Sequence, residues 1–191
     1  MVILSEKGGE AFASAQGVYV DWRERATSFE TVAGAYNTGM ILSGVEQARR
    51  VSVGAVSHDF FDVLGVRPVL GRPISRDEDQ PGRASVALLG AEFWRSEFSG
   101  NPNVLGRTLV LNGKIFTVTG VIPDGFRFAH FGAIDVWVPM AANRNSRGGG
   151  NVVAIGRLAR ASPGKPPRRK WTRSCNRSAA STWRTRGRML W

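Results

Sequence analysis

A two-residue turn at Asn112-Gly113 is the feature that most restricts how this chain can fold. Asn-Gly between two β-rich runs favours a type I′ turn, because both central residues of that turn need a positive φ angle. In the stretch LVLNGKIFTVTGVIPDGF, the turn predicts antiparallel strands near 107–112 and 115–122. Pro123 has no backbone N–H, and we expect it to end the second strand.

The two-residue loop also sets the register of the hairpin. The predicted opposite pairs are Leu111 with Lys114, Val110 with Ile115, Leu109 with Phe116, and Thr108 with Thr117. Alternation then places Leu109, Phe116 and Val118 on one face, with Val110 and Ile115 on the other. Because both faces are apolar, we expect both to be covered, one of them by a helix such as 91–98.

Three short helices are predicted from spacing and end signals. The first begins at Gly17 and carries apolar side chains at helical spacing, namely Tyr19, Trp22, Ala26 and Phe29. The second runs from an N-cap at Ser57 through Leu64 to Gly65, with Phe60, Phe61 and Leu64 buried. The third covers 91–98, with Phe93, Trp94 and Phe98 pointing inward.

The remaining segments are predicted as strands and loops. Strands are expected at Val32–Leu42, Arg50–Val56, Ser85–Leu89, Val136–Val138 and Val152–Leu158. Residues 1–16 are a loose lead-in, and 143–151 form a flexible loop. We expect eight large apolar residues to be mostly buried: Trp22, Phe29, Phe60, Phe61, Trp94, Leu109, Phe116 and Val118.

The net charge of +11 belongs almost entirely to the last part of the chain. Residues 161–191 hold nine bases and no acid, which leaves 17 bases against 15 acids, a net +2, in the first 160 residues. This distribution argues against a nucleic-acid-binding body. The lone Cys175 excludes an intrachain disulfide and a cysteine metal cluster. No run of about 18 apolar residues or secretory h-region is seen.

The candidates for chemistry are few, and each has a structural alternative. Ser57-His58-Asp59 has the residue types of a hydrolase triad, but consecutive residues cannot converge as a triad requires, and a helix start is favoured. Asp77-Glu78-Asp79 lacks the spacing of a calcium loop and is interpreted as a solvated loop. His58 and His130 have no zinc-type partner spacing. Gly148–Gly150 lacks a strand-to-helix context for phosphate binding.

Five stretches in this order resemble the MacB-like periplasmic core domain of ABC-transporter permeases of the FtsX-like class. They are YVDWRERATSFETVAGAY, VSVGAVSHDFFDVLGVRPVLGRPISRDED, SVALLGAEFWRSEFSGNPNVLGRTLVLNGKIFTVTGVIPDGFRF, DVWVPM and AIGRL. The resemblance covers about residues 17–160. It implies an α+β fold with two lobes, one from 17–56 plus 134–160 and an inserted one from 57–133 that carries the hairpin.

The resemblance implies a non-catalytic, extracytoplasmic domain that transmits conformational change and docks partners or substrate. It implies no enzyme activity, no cofactor and no metal or catalytic residues. The partners implied for the parent protein are permease transmembrane helices, a cytoplasmic ATPase subunit or domain, and a second permease copy. This chain is expected to be a truncated fragment that does not transport alone. The alternative is a basic nucleic-acid-binding protein acting through its Arg/Trp tail, which holds Trp171, Trp183 and Trp191.

The basic tail, 161–191, is expected to be disordered and out of frame. The resembling family continues after its GRL strand with an alanine- and glutamate-rich helix, whereas here PPRRKWTRS follows. Codons for Lys165 to Arg173 with G or C in most third positions, read in the shifted frame, give Ala-Ala-Ala-Ala-Glu-Met-Asp-Ala. That run is a strong helix former. The tail's charge then carries no functional information.

Overall fold

The computed structural model describes residues 2–4, 13–25, 29–44, 48–83, 85–128, 131–149 and 151–158. Contacts divide the chain into two compact units, one from residues up to Gly34 and from Asn143 onward, the other Ala35–Ala142. These boundaries differ from the predicted lobes, because residues 35–56 and 134–142 fall in the second unit. The two-lobe division itself stays a prediction, and the predicted tail at 161–191 lies outside the described residues.

The first unit is built around the last strand of the described chain. The elements are β1 (Val2–Leu4), β2 (Ala13–Ser14), α1 (Gln16–Arg25), the start of β3 (Phe29–Ser43) and β10 (Val152–Leu158). Strand β10 pairs antiparallel with β1, where Leu4 lies opposite Ala154, and with β2, where Ser14 lies opposite Val152. The prediction of a loose lead-in over 1–16 was therefore wrong for the described residues there, because they complete the edge of β10.

Helix α1 is shorter than the apolar spacing predicts. Tyr19 and Trp22 are buried on one face, as expected. Phe29, however, is the first residue of β3 and is half-buried, so it does not extend that helical face. The tyrosine ring lies so close to Gly34 that a Cβ there would stand 2.7 Å from it. Spacing alone missed the end of the helix because Phe29 sits at a position that suits either element.

The segment 143–149, predicted as a flexible loop, makes several hydrogen bonds and ion pairs with α1. The Gly17 N–H donates to the Ser146 carbonyl at 2.9 Å, and the Asn143 N–H donates to Gln16 Oε1 at 3.0 Å. Arg147 bonds Asp21 at 2.7 Å, and this hydrogen bond lowers the pKa of the Asp21 carboxyl. Arg144 also pairs with Asp21 and with Glu24.

Gly17→Ala should detach this segment from α1, because a Cβ at Gly17 would overlap the Arg144 backbone carbonyl. We expect a loss of about 1–3 kcal/mol in the free energy of unfolding, measured by urea titration. Gly148→Ala, in the same segment, is the control, since nothing lies within 4 Å of its Cβ position. Equal stability of the two variants would contradict the contact.

The second unit is a ring of hydrogen-bonded strands. The strands are β3, β4 (Arg49–Val56), β6 (Val86–Leu89), β7 (Thr108–Leu111), β8 (Lys114–Val121) and β9 (Val136–Pro139), with β5 (Leu70–Gly71) added on β8. β3 pairs with β4 and β7, β7 with β8, β8 with β6, β6 with β9, and β9 with β4, which closes six strands on themselves. Two of these pairs are parallel, β4 with β9 and β6 with β8.

The hairpin β7–β8 has the register predicted from the sequence. Leu111 lies opposite Lys114 and Thr108 opposite Thr117. Asn112 and Gly113 adopt φ angles of 49° and 75°, as a type I′ turn requires. The Asn112 side chain makes a further contact, because its Oδ1 accepts the Ile41 N–H at 2.8 Å while its own N–H donates to the Ile41 carbonyl at 2.9 Å. The turn residue therefore also joins the hairpin to β3.

Among the described residues, only one face of the hairpin is fully covered. Leu109, Phe116 and Val118 are at most 5% exposed, and they share this burial with apolar residues of β3, β4 and β9. Ile115 is 64% exposed on the outer face, so the expectation of cover on both faces was wrong. A closed ring has one interior, and an apolar outer residue needs another element to cover it.

Two helices pack on the second unit. α2 (Phe60–Leu64) follows β4 and buries Phe60 and Phe61, whose rings contact Trp137 at centroid distances of 6.0 and 5.4 Å. It ends at Gly65 in a left-handed conformation, as predicted. α3 (Ala91–Phe98) has the predicted bounds, and Phe93 is buried beneath the Arg49 guanidinium at 5.6 Å.

Three details of these helices differ from the prediction. The N-cap of α2 is Asp59, not Ser57, because the chain makes one more turn before the helix starts. Leu64 is half-buried, and Val63 is buried in its place. Trp94 and Phe98 on α3 are also only half-buried. The Trp94 indole N–H donates to the Asn101 carbonyl at 2.9 Å, beside the short 3₁₀ turn Pro102–Val104.

Gly113→Val should destabilise the hairpin by roughly 1 kcal/mol or more, because a β-branched residue resists the φ of 75° at this position. Chemical denaturation with tryptophan fluorescence measures the loss. Gly148→Val is the matched control, since Gly148 has no φ in the left-handed region and open space around it. A Gly113→Val protein as stable as the control would mean that the turn does not form in solution.

Candidate functional site

Among the described residues of the second unit, Asp79 is a buried carboxylate, and it lies at the ends of two parallel strands. The Asp79 side chain is 5% exposed. Its Oδ2 accepts the His58 backbone N–H at 3.0 Å, and its Oδ1 accepts the Ala141 N–H at 2.8 Å. The His58 Nδ1 lies 3.4 Å from the same Oδ2. The interpretation of 77–79 as a solvated loop was therefore wrong for Asp79, which binds segments that are distant in sequence.

Asp79 directly follows a turn, residues 75–78, whose first and last residues form a capping box. Ser75 and Glu78 bond each other reciprocally: the Ser75 N–H donates to Glu78 Oε2 at 2.8 Å, and the Glu78 N–H donates to Ser75 Oγ at 3.4 Å. Arg72 adds a two-pronged ion pair to Glu78, with distances of 2.9 and 2.6 Å. The S-x-x-E spacing at 75–78 is the sequence signal that could have revealed this turn.

Ser57, His58 and Asp59 do not form the arrangement of a hydrolase triad. The Ser57 hydroxyl donates to Asp59 Oδ1 at 2.6 Å, and the Ser57 carbonyl accepts the Phe60 N–H at 3.0 Å. His58 instead contacts Asp79. The three consecutive residues therefore fold into the start of α2, and the one hydroxyl proton of Ser57 is directed at a carboxylate.

The described residues contain no group of three or more His, Cys, Asp or Glu side chains arranged to hold a metal ion. His130, Cys175 and the tail residues Trp171, Trp183 and Trp191 lie outside the described part of the chain. Gly148 and Gly149 are exposed and belong to the segment attached to α1, and Gly150 is not described. The prediction that the chain has no catalytic, cofactor or metal residues stays a prediction.

A small cleft in the second unit lies beside the start of α3. It encloses about 20 Å³, the room of about one water molecule, between Gly90–Glu92, residues 122–127 and 133–135. Two exposed ion pairs flank it, Arg95 with Asp124 at 2.9 Å and Arg127 with Glu92 at 2.7 Å. A cleft of this size does not accommodate an organic substrate.

The outer surface of the ring carries apolar side chains at the hairpin. Ile41 is 43% exposed and Ile115 is 64% exposed, and the pairing places both on the outer face with Val110. Arg50 lies opposite Ile41 on β4, and its guanidinium reaches over Gly39. Among the helices of the described segments, none has the length and apolar character needed to cross a bilayer.

The MacB-like periplasmic core domain family matches residues 2–165 of the chain. The chain therefore belongs to this family. A curated relative, the macrolide export ATP-binding/permease protein MacB of Hahella chejuensis, is 29% identical over 96 residues. That match covers 50% of this chain and 14% of the relative, so the chain spans only a small part of its relative's length.

Solved structures of low sequence identity share the fold. The periplasmic region of MacB from Actinobacillus actinomycetemcomitans superposes with a TM-score of 0.65 at 16% identity, over 85% of this chain and 76% of that one. The extracellular domain of the ABC-type transporter YknZ from Gram-positive bacteria gives 0.60 at 14% identity, over 83% and 84% of the two chains. The family match over residues 2–165 confirms the resemblance predicted from the sequence, and these structures show that the fold is shared.

Glu78→Gln should remove a pH-dependent part of the stability. The hydrogen bond from Arg72, opposed by partial burial, lowers the pKa of Glu78 from 4.5 to about 2. A carboxylate with a lowered pKa in the folded state stabilises the fold at pH values above its unfolded pKa. This stabilisation is lost as the pH falls toward the folded pKa of about 2. We expect the free energy of unfolding of the wild type to exceed that of the variant by about 1 kcal/mol at pH 7. The difference is small because Arg72 is largely exposed, and it should narrow below pH 4.5.

Urea unfolding at several pH values between 7 and 3 measures this gap. Asp77→Asn removes the neighbouring exposed carboxylate and serves as the control, with a change of less than about 0.5 kcal/mol expected. A gap between wild type and Glu78→Gln that stays constant with pH would show that the Arg72–Glu78 pair is not formed.

Proposed function

We propose that this chain is a non-catalytic extracytoplasmic domain of an ABC-transporter permease, which transmits conformational change and docks partners or substrate. The observation that carries the proposal is the family match over 2–165, joined to a fold shared with the periplasmic region of MacB. In the parent permease, the domain works with permease transmembrane helices, a cytoplasmic ATPase subunit or domain, and a second permease copy.

The polar contacts of the described residues support a mechanical role. The three residue types of a triad form a helix start, Glu78 forms a capping box, and Asp79 binds two backbone N–H groups. Each of these groups stabilises the fold. A domain that moves as a packed body and contacts other proteins needs no reacting group of its own.

The names of the relatives support an extracytoplasmic location. The matched region of one solved structure is called periplasmic, and that of the other is called extracellular. Both belong to transporters, and the curated relative is named as an ATP-binding and permease protein. We place this chain on the same side of the cytoplasmic membrane and assign ATP binding to a cytoplasmic partner. Nucleic-acid binding through the tail is not favoured, because the family match and the shared fold both support a domain of a transporter.

Hydrogen exchange in the assembled permease tests this function. The permease polypeptide that contains this domain is reconstituted in vesicles with its ATPase, and amide exchange of residues 35–142 is compared with and without ATP. Transmission predicts that exchange in this region changes when ATP binds on the opposite side of the membrane. An ATP-independent exchange pattern would overturn the transmission role.

The purified 191-residue chain is the matched control. Titration with MgATP up to millimolar concentration should give no saturable heat and no change in amide exchange. Saturable binding or hydrolysis by the purified chain would contradict the non-catalytic assignment. A permease with an ATPase that binds but does not hydrolyse ATP separates the effect of nucleotide binding from that of turnover.

A further inference from the structure

The carboxylate of Asp79 completes a hydrogen-bond ladder where the backbone ladder stops. The last residue pair of the parallel strands β4 and β9 is Val56 opposite Pro139. Two residues beyond each strand, the N–H groups of His58 and Ala141 both point at Asp79. Each carboxylate oxygen accepts one of them, at 3.0 and 2.8 Å. One side chain therefore holds both chain segments that leave this strand pair.

The segment leaving β9 adopts a conformation that needs such an anchor. Ala141 has a φ of 44°, in the left-handed region that side-chain-bearing residues avoid. The residue before it is fixed by the Met140 N–H, which donates to the Val56 carbonyl at 2.8 Å. The bond from Ala141 to Asp79 is the contact that directly restrains the strained residue.

The segment leaving β4 leads into the aromatic cluster around Trp137. His58 directly precedes Asp59, the N-cap of α2, and the helix places Phe60 and Phe61 against the indole. Phe126 and Phe128 extend the cluster, with ring distances of 5.6 Å to Trp137 and 5.2 Å to Phe60. A shift of His58 would therefore move the start of α2 and displace the packed rings of Phe60 and Phe61, because a close-packed interior leaves no free space to absorb the movement.

We propose that Asp79 couples the chain leaving β9 to the start of α2, so that displacement of Ala141 loosens His58. The physical basis is the shared carboxylate: its two oxygens move together, and a shift of one N–H tilts the acceptor of the other. Asp79 acts here as a positioning residue, and its coupling is a property of the folded chain. Its use in transmitting movement rests on the proposed function.

Amide exchange of the full 191-residue chain, followed by NMR, reads the two bonded N–H groups directly. Asp79→Asn keeps one acceptor oxygen and replaces the other with an amide NH₂, which cannot accept a hydrogen bond from a backbone N–H. We expect exchange at both His58 and Ala141 to accelerate about tenfold or more, the range for loss of a charged hydrogen bond. Amides in the middle of β4 and β8 should keep their rates. Acceleration at one position only, or at neither, would overturn the coupling.

A second variant perturbs the other end of the contact and keeps Asp79 intact. Ala141→Pro removes the N–H that bonds Asp79 and excludes the left-handed φ. Coupling predicts about tenfold faster exchange at His58, which lies 83 positions away in the sequence. An unchanged His58 rate would overturn the proposal, even where Asp79→Asn fails to fold. Asp77→Asn, which alters an exposed carboxylate two positions from Asp79, should change neither amide.

These experiments test the coupling through Asp79, whereas the vesicle experiment tests the transmission role, and either hypothesis can be refuted without the other. Loss of coupling between His58 and Ala141 would leave the extracytoplasmic role untouched, because that role is read from ATP-dependent exchange in the assembled permease. Coupling in the purified chain, with no ATP-dependent change in the permease, would leave Asp79 as a structural link and remove the transmission role.

Discussion

The ring of strands in the second unit depends on its two shortest contacts, one of which joins β3 to β7 and the other β6 to β9. The contact between β3 and β7 closes the ring at the hairpin. Only two residue pairs form it, Leu42 with Leu111 and Ser43 with Val110. Asn112 lengthens the contact by one residue, because its backbone N–H and its side-chain oxygen both bond to Ile41. Asparagine at the turn therefore satisfies two constraints, a φ of 49° and the closure of the ring. Without that closure, β3 and β7 would both present unpaired strand edges.

A similar solution appears where the parallel pair β4–β9 ends. Asp79 supplies the oxygens that another strand would supply, just as the Asn112 side chain does beside β3. Both side chains extend a hydrogen-bond ladder past the last backbone partner. At Asp79, where the contact is partly buried, N–H groups without partners would be costly, so the carboxylate allows the two short strands to end beside the core. The burial of the Asp79 carboxylate is therefore explained by the fold and needs no ligand to account for it.

Local signals in the sequence predicted local structure well. The hairpin register follows from two residues, and the bounds of α3 and β10 follow from periodicity and breakers next to them. Long-range contacts could not be predicted in this way. The parallel pairing of β4 with β9 joins residues far apart in the sequence, and only this pairing places Asp79 between His58 and Ala141. The exposure of Ile115 is likewise a consequence of ring closure, since the same apolar alternation would suit a sheet covered on both sides.

The same contrast explains why the family was easier to predict than the residues that matter within it. The order of five stretches depends on a whole-chain pattern, and the family match over 2–165 confirms it. The importance of Asp79, by contrast, lies in one acid among three adjacent ones. Glu78 has a sequence signal, its S-x-x-E spacing from Ser75, but no local pattern distinguishes Asp79 from Asp77. Their surroundings separate them: Asp77 is exposed, Glu78 bonds Arg72, and Asp79 is enclosed. If the domain transmits movement, an enclosed carboxylate that bonds two segments, such as Asp79, is better suited to couple them than an exposed one, such as Asp77. Solvent has little access to the hydrogen bonds of Asp79 and is poorly placed to replace them when either segment moves.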